Sequence, residues 1–405
     1  PGAESARMLN WHAGQMRAFA GERDDGTVCT ETASNRSDRV MRLNQKTHLR
    51  VHAVVTAAVV LVFLGGCSEP EPLALGAVLP MTGSGALPDV ERGMQLGIEE
   101  INDAGGINGR EVVLYLEDSG GDGDHAVERL TQLDAERDPL LVFSALSSVT
   151  KALSPQAERN EVPLIGLVAT DPSIPKGKDW TYVFYPSARH EAAPIFQILR
   201  DRRARTVVVW HFGDAYGESV AREVTRLAAG TTIAVNAETY TGDRTVETAS
   251  RYAEYDAVYI VGFSSHIAEM NAALRESAYD GIVLSTSTAT IPAVRRLHDL
   301  DGVYVAAPLM YNDTFVFARE VAARYARRYD LELNHYAATG YDIVKILAGL
   351  LEGESLERER VVEILEAGFI YPGVFGEITL HAGENNIYFP LRPARIDGED
   401  LIYIR

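Results

Sequence analysis

The sequence predicts an α/β protein built from two parallel-sheet lobes, and three observations lead there. From residue 73 onward, short apolar runs alternate with amphipathic segments of helical period, the pattern of strands covered by helices on both faces. The alternation restarts near Pro186, which divides it into two units. The chain has 405 residues, too many for one ordinary core at roughly 100–200 residues per domain.

The elements follow in order. Leu73–Leu79 is an apolar run of strand length, and Pro88–Asp103 sets Val90, Met94, Ile98 and Ile101 on one helical face. A strand at 111–116, a helix at 124–137, a strand at 140–143, a helix at 149–160 and a strand at 163–168 complete the first unit. After an apolar stretch at 180–185 come a helix at 191–200, a strand at 206–210, a helix at 218–229 and a strand at 257–262. A helix at 267–277 and strands at Ile282–Ser285 and 303–306 continue the pattern. Helices at 315–329, 338–351 and 358–367 and short strands at 378–380 and 401–404 close it. No short-period repeat interrupts the series.

Composition excludes several classes. Apolar residues at 46% and charged residues at 23% are an ordinary globular balance, neither fibrous nor broadly disordered. A net charge of −19 argues against a nucleic-acid partner, which asks for a basic face. The two cysteines, Cys29 and Cys67, leave everything after Cys67 without an intrachain disulfide, a thiol nucleophile or a cysteine metal site.

The N-terminal stretch reads as an export signal. Met41 opens a basic region, 53–64 is uncharged and apolar, and Leu64-Gly65-Gly66-Cys67 follows. The apolar run falls short of the ~20 residues that span a bilayer. The tetrapeptide resembles a bacterial lipobox, with Cys67 as the lipidated residue, so 41–66 is expected to be a lipoprotein signal peptide and 67–72 a lipidated tether. Residues 1–40 are polar and aperiodic, and are expected to be either an over-extended upstream translation or a disordered leader, outside the fold. The expected location is extracytoplasmic, with acyl chains as the only membrane contact.

Enzyme signatures are missing. There is no G-x-S-x-G and no P-loop, and Gly83-Ser84-Gly85 lacks the third glycine of a dinucleotide fingerprint. His125, His190, His211, His266, His298, His335 and His381 are scattered without metal-ligand spacing. Neither a cofactor nor a metal is expected.

From residue 79 an ordered series of short motifs appears: Leu79-Pro80-Met81-Thr82-Gly83, then 93–102 with Gly93, Gly97 and Asn102, then Gly105-Gly106-Ile107-Asn108-Gly109-Arg110. Glu117-Asp118, Leu146-Ser147-Ser148, Ala169-Thr170-Asp171-Pro172, Asp214-Ala215-Tyr216-Gly217, His335-Tyr336-Ala337 and Gly340-Tyr341-Asp342 continue it. In this order the series resembles the branched-chain amino-acid-binding proteins, which are type I periplasmic solute-binding proteins. The resemblance implies two Rossmann-like lobes joined by three crossings, with the ligand closed between them. Lobe one is then 73–187 plus 309–384, and lobe two 188–308 plus 385–405.

Open α/β sheets bind ligands beyond the carboxyl ends of their strands, so candidate contacts are sought there. Ser147 and Ser148 follow the 140–143 strand at a helix start, where a serine serves either as a cap or as an anion donor beside free N–H groups. The resemblance matches Ser147 to the serine that holds a ligand α-carboxylate. It also carries over Thr170 and the backbone of Val168, in a turn that on its residues alone serves equally as a cap. Tyr216 matches a tyrosine that reaches across from lobe two, and Phe263 stands where the family often has a tyrosine. Asp214 reads as a loop cap. Near residue 285 the family places an acid for the ligand ammonium, whereas Ser285-Thr286-Ser287-Thr288 is neutral. Ser287 is the candidate there, and two readings stay open: another acid, Asp118 or Asp214, takes the place of the missing one, or the ligand lacks an ammonium. The family's large aromatic in the first loop is absent, and 83–88 offers only Leu87.

The implied role is capture of an amino acid or related small polar ligand by lobe closure, as a monomer delivering to an ABC permease and ATPase. Two alternatives share the fold: a ligand-sensing receptor domain, and a lipoprotein that binds and regulates a cell-envelope enzyme.

Overall fold

The computed structural model describes residues 70–404 apart from 84, 243, 244, 298 and 313. The leader, the signal segment and Cys67 lie outside the described residues.

The first half runs β1 (Leu73–Leu79), α1 (Pro88–Asp103), β2 (Val112–Asp118), α2 (Gly123–Arg137), β3 (Val142–Ala145), α3 (Ser147–Asn160), β4 (Leu164–Leu167) and β5 (Thr181–Phe184). Next come α4 (Ala188–Asp201), β6 (Thr206–Phe212), α5 (Ala215–Ala228), β7 (Ala234–Tyr240), α6 (Thr245–Ser250), β8 (Ala257–Val261), α7 (Ser264–Glu276), β9 (Ile282–Ser285), α8 (Pro292–Leu297) and β10 (Tyr304–Pro308). The chain ends with α9 (Val316–Tyr329), α10 (His335–Leu351), α11 (Arg358–Glu366), β11 (Phe369–Gly373), β12 (Gly376–Leu380), β13 (Asn386–Ile387), β14 (Leu391–Asp397) and β15 (Asp400–Tyr403).

Two sheets organise these elements. The first has the order β13-β5-β4-β3-β1-β2, all parallel. The second has the order β15-β14-β10-β9-β8-β6-β7, parallel except for the antiparallel edge made by β14 and β15. β11 and β12 form a separate antiparallel hairpin. The chain crosses between the sheets after β5, after β10 and after β13. The last crossing corrects the expected lobe boundary: β13 pairs with β5 of the first sheet, so the return to lobe two comes after Ile387 and not at 385.

Strand order reverses between β1 and β3 in one sheet and between β6 and β8 in the other. At such switch points the loops leave in opposite directions and open a crevice. The loops after β3, β6 and β8 therefore face the space between the lobes.

Local sequence explains the framing helices. Pro88 starts α1 with Asp89 and Glu91 in its first turn, which suits the positive end of the helix dipole. Its buried face is Val90, Met94, Ile98 and Ile101 with Gly93 and Gly97. A Cβ at Gly93 would run into the Ala337 carbonyl, and one at Gly340 into the Val90 carbonyl. The two glycines thus let α1 and α10 pack backbone to backbone. Asn334 caps α10 by accepting from the Tyr336 and Ala337 N–H groups, both at 3.0 Å.

Candidate functional site

Between the lobes lies a small cavity with ≈ 20 Å³ of open space, room for little more than one water-sized group. Leu146, Ser147, Val168, Thr170, Tyr185 and Tyr336 line it from lobe one and the first crossing. Asp214, Tyr216, Phe263, Ser287 and Thr288 line it from lobe two.

The lobe-one wall is built around Ser147, in the first turn of α3. Leu146 precedes it at φ +74°, and no side chain caps the helix. The Ser147 oxygen accepts the Thr170 N–H at 3.0 Å and the Asp171 N–H at 3.4 Å, which ties the turn after β4 to the start of α3. Its own proton remains available to an anion, beside helix N–H groups that have no intrahelical acceptor. Val168 sits at φ +52°, a left-handed conformation costly for a β-branched residue.

Lobe two supplies an aromatic wall. Asp214 caps α5 through a 2.8 Å bond from the Gly217 N–H, as its place in the loop suggested, and it lines the cavity as well. Burial raises its carboxyl above the usual range against that bond. The Tyr216 and Phe263 rings lie 6.1 Å apart, and burial raises the Tyr216 phenol well above its ordinary value.

Several contacts hold the walls together. Thr170 Oγ1 is 3.5 Å from Ser219 Oγ on α5. The Asp171 carboxylate is 3.9 Å from Arg222 on the same helix and 3.5 Å from Lys151. Thr288 Oγ1 lies 3.1 Å from the Tyr336 hydroxyl, and Ser287 Oγ 3.3 Å from the Tyr185 hydroxyl.

Of the residues expected from sequence, Ser147, Val168, Thr170, Tyr216, Phe263 and Ser287 meet around this one cavity. Two do not. Ser148 is exposed on the outer side of α3, because one helical step turns its side chain away from Ser147. Leu87 is 6% exposed within the apolar core, and its N–H is bonded to the Pro80 carbonyl at 2.8 Å. The leucine at the cavity is Leu146 instead.

Sequence reasoning missed Leu146, Tyr185, Thr288 and Tyr336. Tyr185 directly follows β5, so the strand-end rule reaches it once the strand stops at Phe184. Tyr336 was hidden because α10 starts at His335, three residues before the expected helix. His335 itself is fully buried: its Nδ1 lies 3.2 Å from the Tyr311 hydroxyl, and burial pulls its pKa down to about 3. It is a neutral packing residue. Among the described residues no group of acids, histidines or cysteines is arranged to hold a metal, and no helix is long and apolar enough to cross a membrane.

The family model for periplasmic binding proteins matches residues 72–400. The chain belongs to the periplasmic binding protein family. A Leu/Ile/Val-binding protein of Rhizobium johnstonii is 24% identical over 76% of this chain and 87% of its own length. A chemotactic signal transduction system substrate-binding protein of Halobacterium salinarum is 31% identical over 37% of this chain. This binding protein spans less than half of that second relative, 40% of its length. Two solved structures share the fold. The branched-chain amino acid transporter substrate-binding protein of Streptococcus pneumoniae, in complex with isoleucine, superposes with a TM-score of 0.73 at 20% identity, over 82% of this chain and 99% of its own. A fatty acid ABC transporter substrate-binding protein of Thermomonospora curvata gives 0.74 at 18% identity, over 83% and 92%. At these identities the likeness is one of fold: type I periplasmic binding architecture. The family is one of extracytoplasmic substrate-binding proteins and not of enzymes, and a small-molecule ligand is its common partner.

Proposed function

We propose that this chain is the solute-capturing lipoprotein of an ABC importer, anchored through Cys67, and that it closes its lobes around a small carboxylate of the amino-acid type. The observation that carries the reading is Ser147: a buried hydroxyl at a helix N-terminus, braced by two backbone N–H groups and facing a cavity shared by both lobes. That arrangement favours an anion. The relatives named for Leu/Ile/Val and the neighbour solved with isoleucine support the amino-acid class, while the fatty-acid neighbour shows that the same fold accepts other carboxylates.

Ligand binds the first lobe at Ser147 and Thr170. The second lobe then rotates and brings Tyr216 and Phe263 over it, a hinge motion about the three crossings. A permease reads the surface that the two lobes present together.

A thermal-shift screen with the standard amino acids and small carboxylates tests this. A ligand at 100 times its Kd adds about 2.7 kcal/mol of stability. A melt unmoved by every carboxylate would reject the reading. Replacing Cys67 with Ala should release the protein from membranes into the soluble fraction, with loss of the acyl mass on the mature N-terminus. The chemotaxis relative favours a second role for the same site, ligand sensing. Uptake of the identified ligand in cells lacking this gene separates the two, since a sensor leaves import intact.

A further inference from the structure

Glu191 lies in the first turn of α4 and is 1% exposed. Its Oε1 accepts the Ser287 N–H at 2.8 Å and the Ser287 hydroxyl at 3.0 Å. Its Oε2 is buried and has no hydrogen-bond partner. Among the described residues no arginine, lysine or histidine pairs with it. Either protonation state leaves a mismatch. Ionised, the carboxylate lacks a counter-charge and Oε2 lacks a donor. Protonated at Oε2, the group offers a hydroxyl to no acceptor. Native interiors rarely tolerate such groups, and each one asks for an explanation. Burial raises the carboxyl's pKa, and the two Ser287 bonds oppose that rise.

The surroundings identify the missing partner. Ser287 lines the cavity. Because the Ser287 proton is committed to Glu191, Tyr185 donates to Ser287 in turn. Tyr185, Tyr216 and Tyr336 line the same cavity, and all three feel the Glu191 charge. The carboxylate therefore stands directly behind Ser287 on the lobe-two side, one side chain back from the cavity lining. The positive end of α3 stands at the lobe-one wall. The two charges thus lie on opposite sides of one cavity, the helix end at its lining and the carboxylate behind Ser287.

We propose that Glu191 is the cation-pairing residue of the cleft and that the ligand is a small zwitterion, its carboxylate held at Ser147 and its ammonium at Glu191 Oε2. The inference rests on the carboxylate-capture reading above. An ammonium has three donors, enough for Oε2 and two tyrosine hydroxyls, whereas a quaternary nitrogen has none and would leave Oε2 unserved.

The test compares each amino acid with its desamino acid (alanine with propionate, leucine with 4-methylpentanoate) by calorimetry on the full protein and on Glu191→Gln and Glu191→Asp. The wild type is expected to bind an amino acid at least about 100-fold more tightly than its desamino partner, the scale of a buried charge pair. Glu191→Gln is expected to lose that discrimination through weaker binding of the amino acid, and Glu191→Asp to retain part of it. Loss of discrimination is a readout that a purely structural glutamate would not move. Equal binding of the two ligands by the wild type overturns the role of Glu191 and leaves the Ser147 reading standing, and this comparison needs no variant to fold. Discrimination retained in Glu191→Gln overturns it equally. Binding of no carboxylate in either series overturns the Ser147 reading, and the inference with it.

Discussion

The Ser147 oxygen accepts the Thr170 and Asp171 amide protons while its own proton is free to meet a ligand. Ser147→Ala removes both functions. A hydrogen bond to a charged group contributes about 1.5–3 kcal/mol, so ligand affinity should fall about 10- to 100-fold by calorimetry. The two buried N–H groups lose their acceptor, so the ligand-free protein should also lose about 1–3 kcal/mol in urea unfolding. Asp342 gives a pH signature away from the cleft. Its carboxylate accepts the Val374 N–H at 2.8 and 3.0 Å, yet burial raises its pKa to about 7 from 3.8. A raised carboxyl stabilises the fold fully below its unfolded pKa, and that contribution is lost as pH rises through the folded value. Relative to Asp342→Asn, the wild type should therefore lose stability between pH 4 and 7, on the order of 3–4 kcal/mol, and change little above. Urea unfolding of both proteins across that range checks it, because groups common to the two cancel in the difference. Six cavity residues were legible in the sequence, since each sits where a strand ends or was carried by a motif. Glu191 was not: it follows no strand end and lies far in sequence from residue 285, and it reaches Ser287 from the first turn of a helix.

Helix starts explain most of what the sequence obscured. α3, α4 and α10 begin at Ser147, Ala188 and His335, each two or three residues before the first clearly apolar-periodic position. That brings Ser147, Glu191 and Tyr336 into helical first turns. Strand β7 was invisible for a different reason: it is an edge strand with only Tyr240 buried, so it carries no apolar run. The hairpin of β11 and β12 encloses buried Val374 and Phe375 in its turn, which inverts the usual polarity of a turn. The α1–α10 contact was not legible as packing either, because glycines carry no hydrophobic signal. A methyl group at Gly93 meets the Ala337 carbonyl, which is backbone and cannot swing aside. Gly93→Ala should cost about 1–3 kcal/mol, seen as a lower melting temperature. It should also weaken ligand binding, since Tyr336 rides on the displaced turn of α10.

Closure of the two lobes draws on contacts of unequal strength. Thr170 and Ser219 meet at 3.5 Å, the outer limit of a hydrogen bond. The Arg222 side chain is 59% exposed and 3.9 Å from Asp171, and a pair of that kind contributes about 0–1 kcal/mol. These two bridges are therefore weak, and beside the buried Thr288–Tyr336 contact at 3.1 Å the closed state depends on what both walls bind in common. A ligand shifts an opening equilibrium only by its extra affinity for one state. A carboxylate at Ser147 with closure by Tyr216 and Phe263 has that extra affinity, since the lobe-two contacts exist only when closed. Arg222→Ala should then reduce ligand affinity by no more than about fivefold, well below the effect of Ser147→Ala. Small-angle scattering should show ligand compacting Arg222→Ala and wild type alike. A loss above about 100-fold in Arg222→Ala, with no compaction, would place the energy of closure in the lobe-to-lobe bridges and not in the bound solute.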